Sequence, residues 1–154
     1  MRRLVLSLVA MCLSANLLAA ESVFIDRRTD AAPGVVEKVF KDAGYNVLSE
    51  FTGKPVLHVV VTHVEPNSGN GSIWLWNGLL MANYACPLKN DDVLVLGGLM
   101  QSAVETMTNP TIPQGKEKAI LVQKNAAKGL LEQIKAGGLD ESRKQCALIQ
   151  SKFQ

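Results

Sequence analysis

The residues from which most active sites are built are scarce in this 154-residue chain, which has two histidines, three cysteines and eight aromatic side chains in all. The histidines, His58 and His63, are an odd number of positions apart in the β-branched run Val56–Val64. In a strand they point to opposite faces, which excludes a shared metal or proton relay. The cysteines show no CxxC or related ligand spacing, no serine lies in GxSxG or SxxK, and no glycine cluster opens a helix in the manner of a phosphate loop. Asp91-Asp92 sits in a turn, where Asp is locally favoured, rather than as an acid and base pair. Metal, cofactor and nucleophilic chemistry are therefore without support.

Net charge is also missing once the N-terminus is read. Met1–Ala20 places Arg2 and Arg3 before the apolar run Leu4–Leu13 and then small residues, the pattern of a secretory signal peptide cut between Ala20 and Glu21. The run is too short for a membrane-spanning helix. Met11 stands where a small residue should precede a lipid-attachment cysteine, so Cys12 does not read as one. Cleavage removes two of the sixteen basic residues and none of the fourteen acidic ones, leaving fourteen of each. No electrostatic footprint for nucleic acid remains, and no integral membrane span is left after processing. Residues 21–154 suit one globular domain in the periplasm or outside the cell. There thiols oxidise, and Cys86 and Cys146 either form one bridge closing a loop of about 60 residues or stay as two buried thiols.

What is present is an alternation of strand and helix patterns. Ser22–Asp26 reads as a strand. Thr29 or Asp30 can cap a helix with Pro33 in its first turn, carrying Val35, Val36, Val39, Phe40 and Ala43, and Gly44 ends it. Tyr45–Glu50 and Val56–Val64 follow as strands. Pro66–Gly71 is a turn cluster, and Ser72–Asn77 and Leu79–Cys86 read as strand, either two strands or one long strand bulged at Gly78. Val93–Leu96 returns, Leu99–Met107 fits strand and helix equally, and Thr108–Gly115 reads as a surface loop. From Lys116 a helix buries Ile120, Ala127, Leu131 and Ile134, Gly137-Gly138 stops it, and Asp140 can cap a last helix bearing Cys146. The expected fold is α/β (α+β): a two-layer sandwich with a mixed, mostly antiparallel sheet of four to six strands, helices on one face, and the order β-α-β-β-β-β-α-α.

The segment GSIWLWNGLL carries both tryptophans. Period two puts Trp74 and Trp76 on one face and Ile73 and Leu75 on the other, yet a sheet with helices on one side covers only one of them. Either the C-terminal helix or the Thr108–Gly115 loop covers the indoles, or they stand on an open surface and supply the rigid aromatic anchors of a protein interface. The binding surface expected on the second reading is Trp74 and Trp76 with His58, Val60 and Thr62.

In its order of elements Val23–Ile134 resembles the N-terminal domain of the TolB translocation protein, on the strand and helix closing in Gly44-Tyr45-Asn46-Val47, the strand Val56–Thr62, and the strand-turn-strand unit after it. That resemblance implies a periplasmic accessory or assembly factor of the bacterial envelope, non-enzymatic and without cofactor, which binds an envelope or secreted protein. The alternatives are an inhibitor or immunity protein against a hydrolase or toxin, and a secreted enzyme whose site would gather His58, Asp26 and a serine. The sequence leaves the oligomeric state open.

Overall fold

The computed structural model describes residues 20–27, 32–62, 66–68, 73–89 and 91–153. The leader up to residue 19, the capping positions Thr29 and Asp30, and His63 lie outside the described residues. The elements are β1 (Ser22–Arg27), α1 (Val35–Asp42), β2 (Asn46–Leu48), β3 (Val56–Thr62), β4 (Pro66–Ser68), β5 (Ile73–Pro87), β6 (Val93–Thr108), α2 (Ile112–Lys135) and α3 (Asp140–Phe153). β2, β1 and β3 run parallel, while β5 is antiparallel to β3 and β4 on one side and to β6 on the other. The expected two-layer α/β arrangement, with helices on one face of a mixed sheet, is the one observed.

The core forms where the odd-numbered residues of β1 and β3 meet the helices. Val23, Ile25, Leu57, Val59 and Val61 join Leu80 and Ala82 of β5, Val36 and Phe40 of α1, and Ala126, Ala127, Leu130 and Ile134 of α2 in one buried cluster. Alternation along each strand commits every second residue to that cluster. Gly44 follows α1 at φ +92°, the left-handed conformation in which a residue without Cβ pays no steric penalty. The disulfide Cys86–Cys146 ties the end of β5 to α3, with Cα atoms 5.5 Å apart.

Several boundaries differ from expectation. Pro33 precedes α1, which starts after Gly34; the Val35 N–H turns back to the Ala32 carbonyl at 3.3 Å. Leu99–Met107 is strand, because β5 pairs with β6 as far as Ile73↔Thr108 and thereby supplies its backbone partners. The turn cluster holds the short strand β4, and the loop after Thr108 is brief. α2 begins at Ile112, where the Thr111 N–H donates to Gln114 Oε1 at 2.9 Å, closing the N-terminus around Pro113. Ile120 is exposed, because the buried stripe at that level runs through Ala119 and Val122. The sheet irregularity falls between Ala82 and Tyr84, and Gly78 remains in register. Gly78 instead permits close packing: a Cβ there would lie 2.5 Å from Val122 Cγ1.

Candidate binding surface

Cross-strand partners share a face, so the register sorts β5 and β6 into two sets. Trp74↔Met107, Trp76↔Glu105, Gly78↔Ala103 and Leu80↔Gln101 face the helices, while Ile73↔Thr108, Leu75↔Thr106, Asn77↔Val104 and Met81↔Met100 face away. Trp74 and Trp76 do lie on one face, but that face is covered. Trp76 is 3% exposed in a cluster with Ala119 and Val122 of α2, and Trp74 and Met107 pack against it. The open indole surface is thereby corrected: the small residues Gly78 and Ala119 let α2 close over the rings. The covering element is α2 rather than the last helix, and its first turn takes in Ile112–Gly115 of the expected loop, with Gly115 beside the Trp76 ring.

His58, Val60 and Thr62 face away from the helices, since their neighbours Leu57, Val59 and Val61 lie in the core. The structure therefore separates these three from the tryptophans with which they were grouped. Val60 is buried, flanked by β1 and β5. Thr62 Oγ1 donates to the Leu79 carbonyl. The His58 ring stacks on Phe24 with centroids 5.6 Å apart; its Nδ1 lies 3.2 Å from Asn83 Oδ1 and its Nε2 3.8 Å from Asp26 Oδ2. The Asn83 contact is of hydrogen-bond length, whereas the Asp26 contact is longer than a hydrogen bond.

What the open face offers is apolar and uncharged. Ile73 is 50% exposed, Leu75 37%, Met81 38%, Met100 64% and Val104 53%. Asn77, Leu79 and Ser102 lie between them, and among the described residues of β5 and β6 this face carries no charged side chain. Its β1 side is covered, where Phe51 of the β2–β3 connection meets the Phe24 ring at 6.2 Å. Ile73 and Leu75 stood out in the sequence as a second apolar face. Met100 and Val104 had no such signal, because Leu99–Met107 fits two periodicities.

A cleft of about 510 Å³ opens at the carboxyl ends of β1 and β2, lined by Phe24, Asp26, Arg27, Glu37, Lys41 and Ser49 among others. Such ends of parallel strands are where open α/β sheets take ligands. Here Arg27 is already ion-paired with the buried Glu37, while Asp26 lies 3.8 Å from His58 Nε2 and Lys41 stands on the same wall. Across the fold, Arg143 grips Glu21 through Nε at 2.8 Å and Nη2 at 2.9 Å and reaches Asp140 at 2.6 Å. Burial works against its charge, yet the bonds to the two carboxylates hold the guanidinium above its ordinary pKa. Among the described residues no group of His, Cys, Asp and Glu is placed to hold a metal, and no helix is long and apolar enough to cross a membrane.

No protein-family model and no curated protein matches the sequence. Solved structures are similar at a low level. A minor lipoprotein from Acinetobacter baumannii is 11% identical with a TM-score of 0.49, over 78% of this chain and 94% of that one. An uncharacterized lipoprotein B from Nitrosomonas europaea is 14% identical at 0.42, over 79% and 88%. PelC from Paraburkholderia phytofirmans, a dodecamer, is 11% identical at 0.40, over 70% and 86%. None of these three is named as a TolB domain, and likeness at this level decides neither family nor activity nor assembly.

Proposed function

We propose that the protein is an exported accessory factor that works by docking to an envelope or secreted protein, with the open sheet face as its contact surface and no chemistry of its own. The observation that carries this reading is the uncharged patch of Ile73, Leu75, Met81, Met100 and Val104, five large apolar side chains left in solvent on one face. Water-exposed apolar area of this kind is retained where a partner covers it. Export is supported by the leader Met1–Ala20 and by the Cys86–Cys146 bridge, which belongs in an oxidising compartment. A role without chemistry fits the placement of His58, whose Nδ1 lies 3.2 Å from Asn83 Oδ1 and whose ring stacks on Phe24.

The test is capture from envelope extract by immobilised mature chain, compared with Leu75→Asp/Met81→Asp. Both positions face solvent, so the variant should keep its circular dichroism spectrum while losing the captured protein. Equal capture by both chains, or none by either, defeats the reading. Stoichiometric recovery of a single hydrolase or toxin would instead identify an inhibitor.

A further inference from the structure

The outer strands of the sheet are treated very differently. β2 and β4 are three residues long each, whereas β6 is sixteen residues long and among the described residues pairs only with β5. Long edge strands are normally blunted by lysine, proline or inward-pointing charge. β6, VLVLGGLMQSAVETMT, has no lysine, arginine or proline, and its single charge, Glu105, is turned to the helix side and tied to Lys118 at 2.8 Å. The irregularity opposite Ala82 and Tyr84 leaves Leu99–Thr108 as the regular stretch.

Two carbonyls of that stretch show where its unused hydrogen-bonding edge lies. Met100 O accepts from Gln133 Nε2 at 3.4 Å, and Ser102 O accepts from Gln101 Nε2 at 3.0 Å. Carbonyls two apart point the same way, and those directed at a neighbouring strand are consumed by its N–H groups. Side-chain amides on Met100 and Ser102 therefore mark the outward row, held by groups that an incoming strand can replace.

We infer that β6 pairs antiparallel with β6 of a second copy of this chain, across a two-fold axis at Ser102. The argument for a second copy is symmetry. Met100 and Val104 are the large exposed side chains of this stretch on the open face, and they stand two residues to either side of the small Ser102. A two-fold there sets Met100 of each copy against Val104 of the other, Ser102 against Ser102, and Glu105 against Leu99, so no like charges meet. The contact is closed and self-complementary, the commonest form of homodimer, and needs no foreign sequence to match it. It joins the two sheets at their edges and sets their open faces side by side, while leaving Ile73, Leu75 and Met81 uncovered. It thus goes beyond the docking reading and stands or falls separately.

The test uses the mature chain in sedimentation equilibrium and in oxidative cross-linking. The wild type should sediment at twice the chain mass, and Met100→Lys/Val104→Lys at the chain mass with an unchanged circular dichroism spectrum. Facing residues of a hydrogen-bonded antiparallel pair have Cα atoms about 5.5 Å apart, within reach of a disulfide, so Ser102→Cys should give a covalent dimer without reductant. Thr106→Cys, about 27 Å from its symmetry mate at strand spacing, should not. A monomeric wild type at every concentration reached, a dimer that survives both lysines, or equal cross-linking of the two cysteine variants would overturn the inference. Loss of the dimer with capture by the open face intact would leave the docking reading standing.

Discussion

Replacing Gly78 by alanine tests the packing that hides the indoles. In an ordinary strand position the change stabilises by about 0.4–1 kcal/mol, chiefly by restricting the unfolded chain. Here the new Cβ would lie 2.5 Å from Val122 Cγ1 and 3.4 Å from the Val122 carbonyl carbon and oxygen, so α2 must retreat by about 1 Å to reach ordinary contact. Overpacking of that kind costs about 1–3 kcal/mol, which outweighs the entropic gain and leaves a net loss of about 1–2 kcal/mol. Val122→Ala, at a fully buried site, should cost about 2 kcal/mol by itself. In the double variant the added methyl enters the space that Val122 vacates, so the combined loss should fall short of the sum by about 1–2 kcal/mol. Urea denaturation followed by tryptophan fluorescence measures all four corners of the cycle, with Trp76 adjacent to the change as the reporter. A stabilising Gly78→Ala, or additivity within about 0.5 kcal/mol, would refute the close approach of α2 to β5.

Neighbouring residues of β5 should respond unequally: Trp76→Ala should cost about 3–5 kcal/mol in the same assay, and Leu75→Ala, on the exposed face, less than about 1 kcal/mol. Replacing Cys86 and Cys146 by serine should remove about 4 kcal/mol, the chain-entropy value for a 60-residue loop, as read from denaturation midpoints with and without reductant. Burial, with the Glu21 charge adding to it and Arg143 opposing, raises the Tyr45 and Tyr84 hydroxyls above 10.0. The folded chain therefore holds those protons more tightly than the unfolded one. Their contribution to stability is complete below the unfolded value near pH 10 and is lost as pH rises through the folded values. Tyr84→Phe should flatten that alkaline decline, as followed by denaturation midpoints across the range; an unchanged slope would count against the burial assigned to this hydroxyl.

How far local pattern reaches can be judged residue by residue. Phe40 and Gly44 declare a helix and its end, Leu57, Val59 and Val61 a buried strand, and Leu131 and Ile134 a docking stripe, because side-chain period and turn chemistry are properties of consecutive residues. Leu99–Met107 was not readable in that way. Its conformation is set by β5, whose backbone pairs with it from a distant part of the chain. The capping pair Thr111 and Gln114 was a readable signal for the start of α2, obscured by the two prolines beside it.

The candidate surface divides along the same line. The sequence by itself determined that Trp74 and Trp76 share one side of a strand and Ile73 and Leu75 the other, since alternation is covalent geometry. Which side would meet water it did not determine. That was decided when α2 closed on Gly78 and took the Trp76 indole into the core with Trp74 packed against it, because burial depends on which distant element fits against a face, and the fit requires the space left by a missing Cβ.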